Sequence, residues 1–128
     1  MKHKVIISKR NKTFPIDGLN ELLRAQTKHG NRVKRENDKV CEMAIRKQLR
    51  NLRIENPIKC IYHVYAQDKK HDRGNLYAAV EKSFLDALQT AKVIRNDGFN
   101  DVLDSEFHTY VDRENPRVVV EIIEVEKH

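Results

Sequence analysis

The sequence has few cysteines, few aromatic side chains and no long apolar run. Its two cysteines, Cys41 and Cys60, cannot form a disulfide framework, and they lack the close spacing of a zinc knuckle. Its apolar runs are a few residues long, whereas a membrane-spanning helix needs roughly 20. The basic N-terminal segment is not followed by a hydrophobic region of the length found in a signal peptide. These absences predict a soluble, cytoplasmic protein with no membrane partner.

The length and the periodicity of the apolar residues predict one α/β (α+β) domain over residues 1–128. A chain of 128 residues, 39% of them hydrophobic, is long enough to bury one core. Runs of β-branched and aromatic residues predict four strands, at about 5–7, 58–66, 107–111 and 117–125, with the last one inside a sheet and forming a meander with the third. Apolar spacing predicts helices at about 36–53 and from Asn75 onward, and a short one near 19–23. The helix from Asn75 has an apolar stripe that is expected to pack on the sheet, formed by Leu76, Val80, Phe84, Ala87, Leu88 and Ala91. The expected fold is a mixed β-sheet with helices packed on it, and residues 28–35 are expected to form a basic loop.

Charge is distributed unevenly along the chain. The net charge is +6, yet residues 24–53 hold ten Lys and Arg against three acids, and residues 97–128 hold nine acids against three Lys and Arg. A basic block favours a polyanionic partner, although a solvated helix face has the same composition. Acids that stay near a bound polyanion suggest a divalent metal. With four Tyr, four Phe and no Trp, the sequence gives little support for a base-stacking platform.

Polar residues of the kinds that bind metals or phosphates lie on and around the helix that begins near Asn75. Asn75, Lys82 and Asp86 fall on one helical face, Asp72 precedes the helix, and Asn96-Asp97-Gly98 follows it as a turn signal. Separately, these residues are also what a surface ion pair, a helix cap and a turn require. Taken together, carboxylates on both sides of a helix and a lysine on its face are compatible with a Mg²⁺ site.

The same stretch resembles the RusA family of Holliday junction resolvases, in particular its phage and prophage members from Gram-positive bacteria. The family has an Asp-x-Asp-Asn loop, a helix with a Lys and an Asp-Ala-Leu, and an acidic turn. Asp72, Asn75, Lys82, Asp86-Ala87-Leu88 and Asn96-Asp97-Gly98 stand at these places. The segments 18–21, 110–112 and 114–122 are also similar to the family, so the resemblance touches nearly the whole chain.

The resemblance implies a RusA-like endonuclease domain that cuts four-way DNA junctions as a two-fold homodimer, in recombination and repair. Asp72 and Asp97 would hold Mg²⁺ or Mn²⁺, with Asp86 assisting. Lys82 would stabilise or position the reacting phosphate, and Asn75 would brace the loop. The basic region would carry the DNA arms through Lys28, Arg32, Lys34, Arg35, Lys39, Arg46, Lys47 and Arg50.

One position departs from the family pattern. The second loop acid falls at Gly74, which has no ligand to offer a metal. Asp68, Asp101 and Asp104 are candidate substitutes. The departure keeps a second interpretation open, a protein of the same fold that binds junction DNA without cutting it. A third, a basic RNA-binding or regulatory protein, is supported by the charge alone.

Overall fold

Four strands and two helices make up the part of the chain that the structure, a computed structural model, describes. These described residues are 1–8, 31–66 and 73–126, with only the backbone described at 31–37, 73 and 75. In chain order the elements are β1 (Lys2–Ser8), α1 (Asn31–Leu49), β2 (Ile58–Ala66), α2 (Arg73–Thr90), β3 (Val102–Val111) and β4 (Arg117–Glu124). They form one small α+β domain with a four-stranded mixed sheet. No helix within the described ranges is long and apolar enough to cross a membrane.

The sheet has the order β1-β4-β2-β3. β4 is antiparallel to β1 and to β2, whereas β2 and β3 are parallel and joined through α2. Parallel neighbours need such a crossover, and a helix commonly supplies it. The prediction of a meander between the last two strands is therefore wrong. β4 does not pair with β3 but lies on the other side of β2, between β2 and β1. The prediction that β4 lies inside the sheet is confirmed.

The core lies between the two helices and one face of the sheet. Along β2 every second residue is buried, from Ile58 to Ala66, and this alternation is typical of a strand covered on one face. The apolar stripe predicted for the second helix is confirmed, since Val80, Phe84 and Leu88 are fully buried. The ring of Phe84 meets that of Tyr62 edge to face, with centroids 5.9 Å apart.

Both helices end without glycine. α1 stops at Leu49 because Arg50 and Asn51 take positive φ angles of 34° and 64°, so it ends four residues before the predicted Arg53. It also begins earlier than predicted, and residues 31–35 of the expected basic loop are helical. After α2, Lys92 has a φ of 61°, and the amide of Val93 donates to the carbonyl of Leu88. The predicted short helix near 19–23 lies outside the described residues.

Candidate functional site

One side of α1 carries exposed basic side chains. Lys39, Arg46 and Arg50 are separated by seven and four residues, which places them in one line along the helix, and Lys47 is exposed beside them. The opposite side is buried in the core through Val40, Cys41, Ala44 and Ile45. The helix therefore has a basic solvent side whose orientation is set by the packing of its apolar side.

Arg46 also has a structural contact. Its guanidinium lies 3.0 Å from Glu42 Oε1 and donates to the carbonyl oxygen of Thr90 at 3.2 Å. Thr90 is the last residue of α2, where carbonyl groups lack partners within the helix and where a cation is favourable. Arg46 therefore connects the basic side of α1 to the end of α2.

The other predicted DNA contacts come before Asp38 in the chain. Arg32, Lys34 and Arg35 lie in the first turns of α1, where only the backbone is described. Lys28 lies outside the described residues. For all eight positions, DNA contact remains a prediction.

Lys82 and Asp86 form the ion pair that their spacing predicts. Lys82 Nζ lies 3.7 Å from Asp86 Oδ2, and 67% of the lysine side chain is exposed against 28% of the aspartate side chain. Thr90 donates its hydroxyl to the backbone carbonyl of Asp86 at 3.0 Å. An exposed pair of this kind contributes only a few tenths of a kcal/mol, roughly, to stability. The ammonium group stays accessible to a ligand.

Asp97 lies in an exposed turn between α2 and β3. The side-chain oxygen of Asn96 accepts from the Asp97 amide at 2.9 Å, and the carbonyl of Gly98 accepts from the amides of Asp101 and Val102. A Cβ built at Gly98 would lie 3.8 Å from Asp101 Oδ2, so the Asp101 carboxylate is directed toward this turn. The structure thus supports a turn at this place, with two acidic side chains around it.

The two ends of α2 are far apart. The helix has 18 residues and is therefore about 27 Å long. The start of α2 follows in sequence the end of β2 that carries Ala66. Beyond the other end of α2, the carbonyl of Asp101 accepts from the amide of Ile58, which lies at the opposite end of β2. Asp72 lies outside the described residues, and the side chain of Asn75 is not described. Among the described residues, no group of three or more His, Cys, Asp or Glu side chains is placed to hold a metal ion.

Several acids of the last third of the chain have basic partners instead. Glu121 lies 2.9 Å from Lys2 and 3.3 Å from His63, and Asp112 lies 2.8 Å from Arg117. Hydrogen bonds from these partners lower the pKa of both carboxyl groups. Asp104, one of the candidate substitutes, lies 3.9 Å from Lys59. Asp68 lies outside the described residues.

Sequence reasoning missed a row of rings on the second face of the sheet, the face opposite α1 and α2. His63 stacks on His108 with ring centroids 5.3 Å apart, and Tyr65 stacks on Tyr110 at 4.7 Å. The guanidinium of Arg117 covers Tyr65, 3.7 Å from the ring centroid. The two-residue spacing along each strand is visible in the sequence, but the parallel pairing of β2 with β3 that aligns the rings is not.

Comparison of the chain with protein-family models gives no match, and no curated protein matches it significantly.

Proposed function

We propose that this protein is a structure-specific endodeoxyribonuclease that resolves four-way DNA junctions by paired phosphodiester hydrolysis, acting as a homodimer in recombination and repair. The sequence resemblance carries the reaction itself. The structural observation that supports the proposal is the basic solvent side of α1, with Lys39, Lys47 and Arg50 exposed on a helix that is anchored by its apolar side.

Such a helix suits the phosphate backbone of a duplex arm. Lysine and arginine at this spacing contact phosphates without reading bases, so binding depends on the shape of the DNA and not on its sequence. Each phosphate contact lowers the slope of log K against log salt by about 0.9. Junction binding is therefore expected to weaken steeply as salt rises, and Lys39→Ala with Arg50→Ala is expected to make the slope shallower.

Lys82 is the side chain that we assign to the reacting phosphate. Its ammonium is exposed and can reach an anion, while the adjacent Asp86 restrains it at 3.7 Å. A fixed cation next to a phosphate stabilises the charge that develops during transfer. Asp86 then acts as a positioning residue for Lys82.

Mg²⁺, or Mn²⁺ in its place, is the cofactor that the resemblance implies. The described carboxylates of one chain do not gather into a site for it, and the length of α2 separates Asp97 from the start of that helix. We therefore assign no step to the metal. A two-fold dimer brings carboxylates from two chains to the same DNA, so the separation within one chain is compatible with the proposal.

The test is cleavage of a synthetic four-way junction, with each strand labelled in turn, in Mg²⁺ or Mn²⁺. Paired, symmetric nicks are expected from the unmodified chain and none on a linear duplex of the same sequence. Asp97→Asn is expected to abolish nicking while junction affinity stays within twofold. Glu55→Gln, at an exposed acid between α1 and β2 that lies outside the family motif and the candidate site, is the matched control and is expected to retain activity. Full activity of Asp97→Asn would remove Asp97 from the site.

A second candidate function is junction binding without cleavage. Gly74 favours it, because this exposed position at the start of α2 has no carboxylate to offer. Tight junction binding without nicks in the same assay, with nicks restored by Gly74→Asp, would establish this alternative.

A further inference from the structure

Among the described strands, β3 lies at one edge of the sheet. It is the last strand in the sheet order, and in the described part of the chain no strand pairs with its outer side. Ile58 pairs with Val102 and Lys59 pairs with Asp104, so Leu103 is an extra residue of β3, and the strand is regular from Asp104 onward. The amide of Asp112 donates to Ala66 on β2 at 2.8 Å, so the backbone groups of even-numbered residues point toward β2. Those of Ser105, Phe107 and Thr109 therefore point outward.

Exposed strand edges are templates for pairing with another strand, and charged side chains usually discourage it. In β3 the charges instead form a self-complementary pattern around Phe107. Glu106 and His108 flank this residue on the second face of the sheet, where they also pair with each other within the chain at 2.9 Å. Ser105 and Thr109 flank it on the helix face. A strand with this pattern matches a second copy of itself running in the opposite direction.

We propose that β3 pairs antiparallel with β3 of a second copy of this chain, with the two-fold axis at Phe107. Phe107 then exchanges backbone hydrogen bonds with the partner's Phe107, and Ser105 exchanges them with the partner's Thr109. Glu106 lies opposite the partner's His108 in a non-hydrogen-bonded pair, where side chains approach most closely. The two four-stranded sheets become one continuous sheet.

Charge selects this register over its neighbours. An axis at Glu106 places that carboxylate opposite its own copy, and an axis at Ser105 places it opposite the partner's Asp104. An axis at His108 sets Asp104 opposite the partner's Asp112, and one at Thr109 sets Glu106 opposite the partner's Asp112. Like charges directly opposite are destabilising, so the axis at Phe107 is favoured among the five.

Exposed apolar side chains at the two ends of β3 also support the pairing. Leu103 is 50% exposed and Val111 is 45% exposed. In the antiparallel pair, the Leu103 end of one strand lies beside the Val111 end of the other. Both side chains are then covered by the partner, which removes apolar surface from water at each end of the contact.

The pairing identifies the surface through which the proposed two-fold dimer forms, and in this respect it rests on the proposed function. The geometry of the edge does not depend on nuclease activity, so the two are tested separately.

Cysteine crosslinking tests the register. Asp104 pairs with the partner's Tyr110, and within one chain the two positions are about 20 Å apart, too far for a disulfide. Mixing Asp104→Cys chains with Tyr110→Cys chains under mild oxidation is expected to give a covalent dimer, and either variant alone is not. The unmodified chain, whose Cys41 and Cys60 are buried, is the control. No crosslink in the mixture, or equal crosslinking by Asp104→Cys alone, would overturn the register.

Charge variants test the same contact without a covalent bond. Glu106→Lys places lysine opposite histidine, and His108→Glu places glutamate opposite glutamate, so each variant alone is expected to weaken the dimer at least tenfold by light scattering. Their mixture restores opposite charges at both pairs and is expected to recover dimers, while thermal melts confirm that both variants fold. A dimer insensitive to both changes, or a monomeric unmodified chain, would refute the edge contact. Junction cleavage is measured in parallel, and register-specific crosslinking without cleavage would refute the nuclease proposal alone.

Discussion

Replacing Gly74 with aspartate perturbs stability and the candidate site at the same time, and an alanine control separates the two effects. Gly74 is the second residue of α2 and is exposed, and the first turn of this helix has no acidic residue. Aspartate there supplies the acid that the resemblance to the RusA family implies at this position. It also places a negative charge at the positive end of the helix dipole.

The size of the stability effect follows from helix energetics. Glycine inside a helix is less favourable than alanine by about 1 kcal/mol, and the first turn gives about half of that or more. Aspartate has a lower helix propensity than alanine but gains about 0.3–1 kcal/mol from the dipole. Gly74→Ala and Gly74→Asp are therefore both expected to stabilise the domain by about 0.5–1 kcal/mol, or about 2–5 °C in Tm.

The junction-cleavage assay then measures the effect of the carboxylate separately from the effect of the added stability. If a carboxylate at this position serves catalysis, Gly74→Asp raises the nicking rate at saturating Mg²⁺ while Gly74→Ala, equally stabilised, does not. Equal rates in the two variants would refute the assignment of this position to the site. A drop in Tm for both would refute the placement of Gly74 in an unstrained helical turn.

The remaining predictions concern the core and the charged surface. Phe84→Ala is expected to lower the free energy of unfolding by about 3–4 kcal/mol in urea titrations, because the ring is fully buried; Phe99→Ala, at a side chain 96% exposed, is expected to change it by less than about 0.5 kcal/mol. Burial raises the pKa of Cys60 to about 12 and also raises that of Cys41. Neither thiol is therefore expected to react with a thiol reagent at pH 8 until urea is added, and prompt reaction of the folded chain would contradict their burial. Hydrogen bonds from Lys2 and His63 lower the pKa of Glu121. The contribution of Glu121 to stability is therefore complete above the unfolded pKa of about 4.3 and is lost as the pH falls through the lowered pKa. Glu121→Gln is expected to flatten the decline in stability below about pH 4.5, and an unchanged acid profile would count against the pairing.

Local patterns were enough to predict most elements of the fold. The run of β-branched and aromatic residues predicted β2 at its observed bounds, and the apolar stripe through Phe84 predicted the buried side of α2. The order of the strands was not predictable in this way. β3 and β4 are separated by a short turn, which favours a hairpin, but pairing with β2 is decided by contacts between residues far apart in sequence.

The candidate site was predicted only in pieces for a related reason. The Lys82–Asp86 pair depends on helical spacing alone and was found. A shared site for Asp72 and Asp97 depends on where the two ends of α2 lie, and the spacing of residues along the chain does not carry this information. The rings around His63 depend on the register of two parallel strands, which no local pattern encodes.

The position of β4 has a consequence for the order in which the protein acquires its structure during synthesis. β4 is the last strand of the sheet to leave the ribosome, yet it stands between β1 and β2, and its pairing of Lys2 with Ile123 closes a loop of nearly the whole chain. Until it arrives, β1 has no neighbour among the described strands, and β2 is unpaired on the side that β4 will take. Contacts of such sequence separation form slowly. The nascent chain therefore carries unpaired edges on β1 and β2 until β4 is made, and a chain cut short before Arg117 is expected to aggregate instead of folding into a smaller domain.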